Sequence, residues 1–150
     1  MLWIDGKARV EIKILGYQYE VIEEWYDDWL TVQIIAQDQN GFQWKAISPS
    51  MMTSELKSLR DWLISVRDNQ MTWKFAAFMD PEIEVSYIEE GQIELSLSHA
   101  FYPHKLIKLD QGEYEKKFII SSTKEVLQEK IEEIDEMLKK FPERCSRYNN

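Results

Sequence analysis

Residues 26–66 read YDDWLTVQIIAQDQNGFQWKAISPSMMTSELKSLRDWLISV, and this segment decides the fold. Every second residue over 30–36 is apolar, which is the period of a strand that buries one face. The pattern breaks at Asn40-Gly41, a strong hairpin signal. The sequence therefore predicts a hairpin whose return strand starts near Phe42 and ends at Pro49.

A helix is predicted directly after this hairpin. Thr53 belongs to a residue type that caps helices, and the apolar residues that follow it recur at helical spacing. Those residues are Leu56, Leu59, Leu63 and Val66. Asn69 is expected to end the helix, because Asn tolerates the left-handed conformation that closes many helices. The helix, over about residues 53–67, should seal the inner face of the hairpin.

The flanking sequence contains further strand patterns. A first strand is predicted over residues 8–14 and is ended by Gly16, and a second hairpin is predicted over residues 83–97 with its turn at Glu89-Glu90-Gly91. Further strands are expected over residues 73–77, 106–109 and 114–120. Three tryptophans in or beside the apolar patterns are predicted to lie in the core. They are Trp44, Trp62 and Trp73.

A second main helix is predicted near the C-terminus. Ser122 and Glu125 form a capping-box pattern, and a helix over about residues 123–141 follows and ends at Pro142. The chain contains neither an internal repeat nor an interdomain linker. We therefore predict one domain over residues 1–150, of the α+β class, with mostly antiparallel sheet of about six to eight strands and two main helices.

The net charge of −9 is concentrated in two segments that contain no Lys or Arg. Residues 14–44 and residues 75–104 each hold six acidic residues, so together they hold twelve of the 27 acidic residues. The remainder has 15 acidic against 18 basic residues. This distribution argues against nucleic-acid binding, which depends on Lys and Arg, and favours a basic partner. The alternative is an acidic surface that only keeps the protein soluble.

Reactive chemistry is not indicated by any motif. The spacing of His99 and His104 matches no zinc pattern, and Cys145 has no companion for a metal site. Phosphate-binding loops and nucleophile elbows are also lacking. The sequence therefore predicts no metal, no cofactor and no enzymatic activity, with a small metal-dependent hydrolase as the least favoured alternative.

The expected location is cytoplasmic. The sequence contains no apolar run of the roughly 20 residues that a membrane span needs, and its first residues lack the layout of a signal peptide. A single Cys excludes an internal disulfide framework, which suits a reducing compartment.

Short patterns of aromatic and acidic residues run from Gly16 to the final helix. They are Gly16-Tyr17, Tyr26-Asp27-Asp28-Trp29-Leu30, Trp44, Pro49, Thr53-x-Glu55-Leu56-x-x-Leu59-x-x-Trp62-Leu63 and Phe78-Met79-Asp80-Pro81-Glu82-Ile83. Together they resemble the WapI-type immunity protein family of bacteria. The resemblance implies a non-catalytic protein that protects the producing cell from the toxic C-terminal domain of a wall-associated, contact-dependent toxin. In the best-known case that toxin cleaves transfer RNA.

The resemblance and the charge distribution point to the same kind of partner. Nuclease toxins are usually basic because they bind phosphate backbones, and an acidic inhibitor is steered towards such a surface. We therefore predict an immunity protein that binds and neutralises a basic toxin domain, a nuclease, and that contacts neither nucleic acid nor membrane. The alternative is a structural or regulatory interaction module with no toxin partner.

The residues expected to contact the partner lie in predicted loops and turns of the two acidic segments. Loops place carboxylates and aromatic anchors at the surface, so these residues are expected to be exposed and to converge on one face. They are Glu20, Glu23, Glu24, Trp25, Tyr26, Asp27, Asp28, Glu89 and Glu90.

Overall fold

A computed structural model describes residues 1–89, 91–104 and 114–144. Within these residues, two four-stranded antiparallel sheets and two helices share one hydrophobic core, which confirms the predicted α+β class. The elements are β1 (Leu2–Asp5), β2 (Ala8–Tyr17), β3 (Trp29–Gln37), β4 (Gln43–Met52), α1 (Thr53–Arg67), β5 (Phe75–Ala76), β6 (Ile83–Glu89), β7 (Gln92–Ser98), β8 (Glu115–Ser121) and α2 (Lys124–Lys140). The strand orders are β1-β2-β3-β4 and β5-β6-β7-β8.

The first sheet contains the predicted central hairpin. All four alternating apolar side chains of β3 are buried, which confirms the period-two pattern. The turn is closed by Asp38, whose Oδ1 accepts hydrogen bonds from the backbone N–H groups of Asn40, at 2.9 Å, and Phe42, at 3.0 Å. Gly41 has a φ of 85°, a conformation that favours glycine. The hairpin therefore forms for the reasons that its sequence suggests.

Two strand ends differ from the prediction. β4 does not end at Pro49 but continues to Met52, with Pro49 opposite Thr31 beside a register irregularity. Because β4 is an edge strand, a residue without an amide donor is tolerated there. β2 likewise passes through Gly16 with a bulge instead of ending at it. The short β1, which was not predicted, pairs with the first half of β2.

Helix α1 packs its predicted apolar face into the core. Leu59 is 1% exposed, and Leu56 and Leu63 are equally inaccessible. The predicted cap is wrong by one position: the cap residue is Met52, whose N–H donates to Glu55 Oε2 at 2.8 Å. Asn69 has a φ of 54° just beyond the end of the helix, as predicted.

The second sheet contains the predicted second hairpin, with Gly91 at a φ of 78°. The first strand of this sheet, β5, has only two residues. Trp73 lies just before β5, and 70% of its surface is exposed. The prediction of Trp73 as a core residue is therefore wrong, whereas Trp62 is buried and Trp44 is half-buried against the core. The strand predicted over residues 106–109 lies outside the described residues.

Helix α2 runs antiparallel to α1. Arg60 Nε donates to Asp135 Oδ1 at 2.5 Å, and Arg67 Nη1 donates to Gln128 Oε1 at 2.5 Å, so the end of α2 lies beside the start of α1. The N-terminal cap of α2 is Thr123, whose Oγ1 accepts a hydrogen bond from the backbone N–H of Val126. The prediction of Ser122 as the cap is therefore wrong by one position. In the part of the chain that the structure describes, no helix is long and apolar enough to cross a membrane.

Candidate partner-binding site

The loop between β2 and β3 contains most of the residues predicted to bind a partner. Its two ends are fixed by backbone hydrogen bonds, because Gln18 N donates to Trp29 O at 2.8 Å and Thr53 N donates to Asp28 O at 3.2 Å. The second bond places the loop against the first residue of α1. The loop is therefore a defined part of the fold, attached to both the first sheet and the helix pair.

Asp28 is buried within this arrangement. It is only 2% exposed, and its carboxylate is held by Arg144, whose Nε lies 2.9 Å from Oδ1 and whose backbone N lies 3.1 Å from Oδ2. The expectation that the Asp28 carboxylate is exposed is therefore wrong. A buried carboxylate needs a cation, and the chain supplies one from beyond the end of α2.

Arg144 also fastens the start of the loop. Its Nη1 donates to the backbone oxygens of Tyr19, at 2.9 Å, and Glu20, at 3.3 Å, while its guanidinium carbon lies 3.6 Å from the centre of the Tyr17 ring. The Tyr17 hydroxyl donates to Pro142 O at 2.6 Å. Burial and the negative charge of Asp28 raise the pKa of Tyr17, and the positive charge of Arg144 opposes them. The segment after α2 thus clamps the loop.

Asp27 has an internal role as well. Its Oδ2 accepts hydrogen bonds from the backbone N–H groups of Glu23, at 3.1 Å, and Glu24, at 2.9 Å. These bonds close a short 3-10 turn over Trp25–Asp27. Asp27 is half-buried and determines the shape of the loop.

The remaining predicted loop residues are exposed together. Glu20, Glu23 and Glu24 are exposed carboxylates, and the rings of Trp25 and Tyr26 pack edge to face with their centres 5.5 Å apart. These aromatic side chains keep 38% and 48% of their surface accessible. We call residues 19–26 the acidic loop. It combines negative charge with aromatic surface on a clamped backbone.

Glu89 lies at a different end of the molecule from the acidic loop. Gly91 O, at the same hairpin tip, accepts from Ser122 N just before α2, whereas Asp28 binds Arg144 just after it. The 17 residues of α2 span about 25 Å at 1.5 Å per residue. The two turns are therefore separated by roughly the length of α2, and their convergence on one face stays a prediction. Glu89 is exposed, and Glu90 lies outside the described residues.

Comparison with known proteins identifies the family. The chain matches the model of the Immunity protein WapI-like family over residues 1–142. The chain belongs to this family. The resemblance inferred from the aromatic and acidic patterns is thereby confirmed. Comparisons with curated proteins and with solved structures gave no match.

Membership of the WapI-like immunity protein family supports an immunity function and implies a toxin partner in general terms. Among the residues that the structure describes, no group of three His, Cys, Asp or Glu side chains could hold a metal ion. Cys145 lies outside those residues, and the absence of a metal and of catalysis stays a prediction.

Sequence reasoning missed the contact between Arg144 and Asp28, which holds the loop in place. Arg144 lies 116 positions from Asp28, and no local pattern connects the two. The only available signal was an acidic pair, Asp27-Asp28, that no nearby base could neutralise. A base-free acidic pair beside apolar strand residues suggests that a distant cation is required.

Proposed function

We propose that this immunity protein binds and neutralises the toxic C-terminal domain of a cognate contact-dependent toxin in the cytoplasm of the producing cell. The toxin domain is a nuclease with a basic surface, and the immunity protein acts by occupying that surface without catalysing a reaction. The observation that carries the proposal is the acidic loop of a chain that belongs to an immunity protein family.

The electrostatics of the acidic loop favour a basic partner. Three exposed carboxylates lie on a segment without Lys or Arg, and the nearby Arg144 guanidinium is already paired with Asp28. Its charge is therefore balanced locally and does not offset the exposed acids. A concentrated negative potential of this kind raises the association rate with a positively charged surface.

The aromatic residues of the acidic loop supply contact area. Trp and Tyr are enriched among the residues that dominate interface energy, and here Trp25 and Tyr26 are held beside the carboxylates by the 3-10 turn. A loop that is already clamped loses less conformational entropy when it binds. Rigid aromatic groups surrounded by charge are therefore suited to tight and selective binding.

The direct test uses the C-terminal domain encoded by the gene directly upstream of this chain. The two purified proteins should form a stable complex, and the complex should lose the ability of the free domain to cleave transfer RNA. A mixture that elutes as two separate proteins would contradict the proposal. A stable complex that retains full nuclease activity would instead favour an interaction module that does not protect the cell.

A further inference from the structure

The outer face of the second sheet carries a regular row of exposed and half-buried side chains. Phe75 of β5 lies opposite Ser86 of β6, Ser86 lies opposite Glu94 of β7, and Glu94 lies opposite Ile119 of β8. Phe75 is 55% exposed while its neighbour Ala76 is buried, so Phe75 points away from the core. One row across four strands therefore starts with an exposed aromatic ring.

Trp73 lies two residues before Phe75 and is also exposed. Its backbone oxygen accepts a hydrogen bond from Trp62 Nε1 at 3.0 Å, which fixes its backbone to α1 while its side chain stays exposed. The pairing of β5 with β6 continues to Lys74, whose oxygen accepts from Tyr87 N at 2.6 Å. Trp73 and the exposed Ile88 are the residues next to this hydrogen-bonded pair in sequence. We call Trp73, Phe75 and Ile88 the aromatic face.

Acidic residues surround the aromatic face. Glu84 shares the outer side of β6 with Ser86 and Ile88, and Glu89 follows at the end of the same strand. On the neighbouring strands, Lys117 Nζ lies 3.0 Å from Glu94 and is therefore paired. Lys74, between Trp73 and Phe75 in sequence, is exposed as well, so the charged groups beside the aromatic face are the acidic Glu84 and Glu89 and the basic Lys74.

The outer face of the first sheet differs in charge. Its exposed Ile47 shares a row with Gln33 and Lys13, and its exposed Ile4 lies opposite Arg9. Exposed aliphatic groups there lie beside basic residues, although Lys13 Nζ is paired with Glu11 at 3.0 Å. Among the described residues, the outer face of the second sheet is the one that combines exposed aromatic rings with acidic neighbours.

We infer that the aromatic face is a docking surface for the basic toxin domain, with Trp73 as its central anchor. The inference rests on the proposed function and adds a second contact surface to the acidic loop. Charge complementarity selects the occupant, because Glu84 and Glu89 would attract Lys and Arg of the partner. A second copy of this chain is disfavoured, because self-association would bring the same acidic residues face to face.

The two surfaces have different effects on binding kinetics. Exposed acids at a distance act mainly on the association rate, whereas a buried aromatic anchor acts mainly on the dissociation rate. Removal of the Trp73 ring should therefore leave association nearly unchanged and should accelerate dissociation. The acidic loop should show the reverse.

The experiment measures binding kinetics with the immobilised upstream-encoded C-terminal domain. The Trp73→Ala/Phe75→Ala variant should dissociate about 30-fold faster than the wild type, as expected for loss of an interface hot spot. The matched control is Ile4→Ala/Ile47→Ala, which removes exposed apolar side chains from the other sheet and should bind as the wild type does. Both variants should keep the wild-type unfolding midpoint, because the mutated side chains are more than half exposed.

Hydrogen exchange on the wild-type complex provides a readout that needs no variant. Binding should slow exchange of the amides of β5 and β6. An unchanged dissociation rate for the Trp73→Ala/Phe75→Ala variant would overturn the inference but leave the proposed function intact, and so would a lack of added protection of β5 and β6 in the wild-type complex. Absence of wild-type binding would overturn both, and dimerisation through Trp73 in sedimentation would also overturn the inference.

Discussion

Arg144 Nε lies 2.9 Å from Asp28 Oδ1, and this pair joins the segment after α2 to the loop before β3. The Asp28 side chain is 3% exposed and the Arg144 side chain is 22% exposed, so the contact is largely removed from water. A buried ion pair favours one particular geometry, because separation of the two groups leaves a buried charge without its partner and without hydration. The shape of the acidic loop therefore depends on a residue near the other end of the chain.

The Arg144→Met variant should be destabilised by about 3 kcal/mol, the lower end of the cost of breaking a buried ion pair, because Arg144 is partly accessible. The Asp28 carboxylate would remain buried without its cation. Chemical denaturation would measure the difference in the free energy of unfolding. Hydrogen exchange should show faster exchange over the acidic loop.

The neighbouring substitution Glu143→Ala serves as the control for Arg144→Met. Glu143 is exposed, so its removal should change stability by no more than about 0.5 kcal/mol. The double variant Asp28→Asn/Arg144→Met should cost less than the sum of the single variants, because the two groups interact directly. Strict additivity would show that the pair is not coupled.

The sequence predicts local structure well because local structure depends on local patterns. The alternation over residues 30–36, the turn at Asn40-Gly41 and the spacing of the α1 residues are each explained by their near neighbours, and all appear in the fold. The C-terminal helix is predicted within one residue at each end. These features need no knowledge of distant contacts.

Features that depend on tertiary context were not predictable in the same way. Trp73 and Phe75 show strand-like alternation, but β5 lies at the edge of the second sheet and nothing in the described chain covers their side chains. Asp28 belongs to an acidic loop pattern, but Arg144 draws it into the interior. The Arg144 contact is far away in sequence, and the edge position of β5 depends on how the strands assemble, so residue periodicity carries information on neither.

The Leu59→Ala variant should lose roughly 2 to 5 kcal/mol of stability, as large core truncations do. Leu59 is 1% exposed on the face of α1 that packs into the core shared by both sheets. The measurement is the denaturation midpoint. Lys57→Ala, an exposed site on the same helix, should leave the midpoint nearly unchanged. An equal effect of the two substitutions would mean that the packed face of α1 is assigned wrongly.

Glu82 should make the protein less stable at neutral pH than a Glu82→Gln variant. The residue is 8% exposed, its Oε1 accepts from Ser48 Oγ at 3.3 Å, and its Oε2 is buried without a hydrogen-bond partner among the described residues. Burial is the main reason that the pKa of Glu82 is raised, with a smaller contribution from Asp80, while Ser48, His99 and a backbone hydrogen bond from Ala100 oppose the rise. The folded state therefore favours the protonated form.

The pH dependence follows from the direction of this shift. Stability associated with protonated Glu82 is fully present below the ordinary pKa of 4.5 and is lost as the pH rises through the higher pKa of the folded state. The stability advantage of Glu82→Gln should thus be small at pH 4 and larger at pH 7, as measured by urea denaturation across that range. An advantage that decreases as the pH rises would contradict the assigned direction.

The acidic loop should steer association with the toxin domain. The Glu20→Lys/Glu23→Lys variant reverses two exposed charges whose described hydrogen bonds involve only the backbone, so the fold should persist. Association with the upstream-encoded C-terminal domain should slow by tenfold or more at low salt, on the order of the steering effects seen for charged interfaces. The difference should shrink near 0.5 M salt, because mobile ions screen the field over a few ångströms.

The matched control reverses two exposed acids on α2 by Glu132→Lys/Glu136→Lys, which changes the net charge by the same amount. Glu133 is unsuitable as a control site because it lies 2.6 Å from the buried Lys130 Nζ. If position matters, the loop variant should associate much more slowly than the helix variant at equal ionic strength. Equal slowing of the two variants would show that only the total charge acts. A slower helix variant would place the steering surface on α2 instead of the acidic loop.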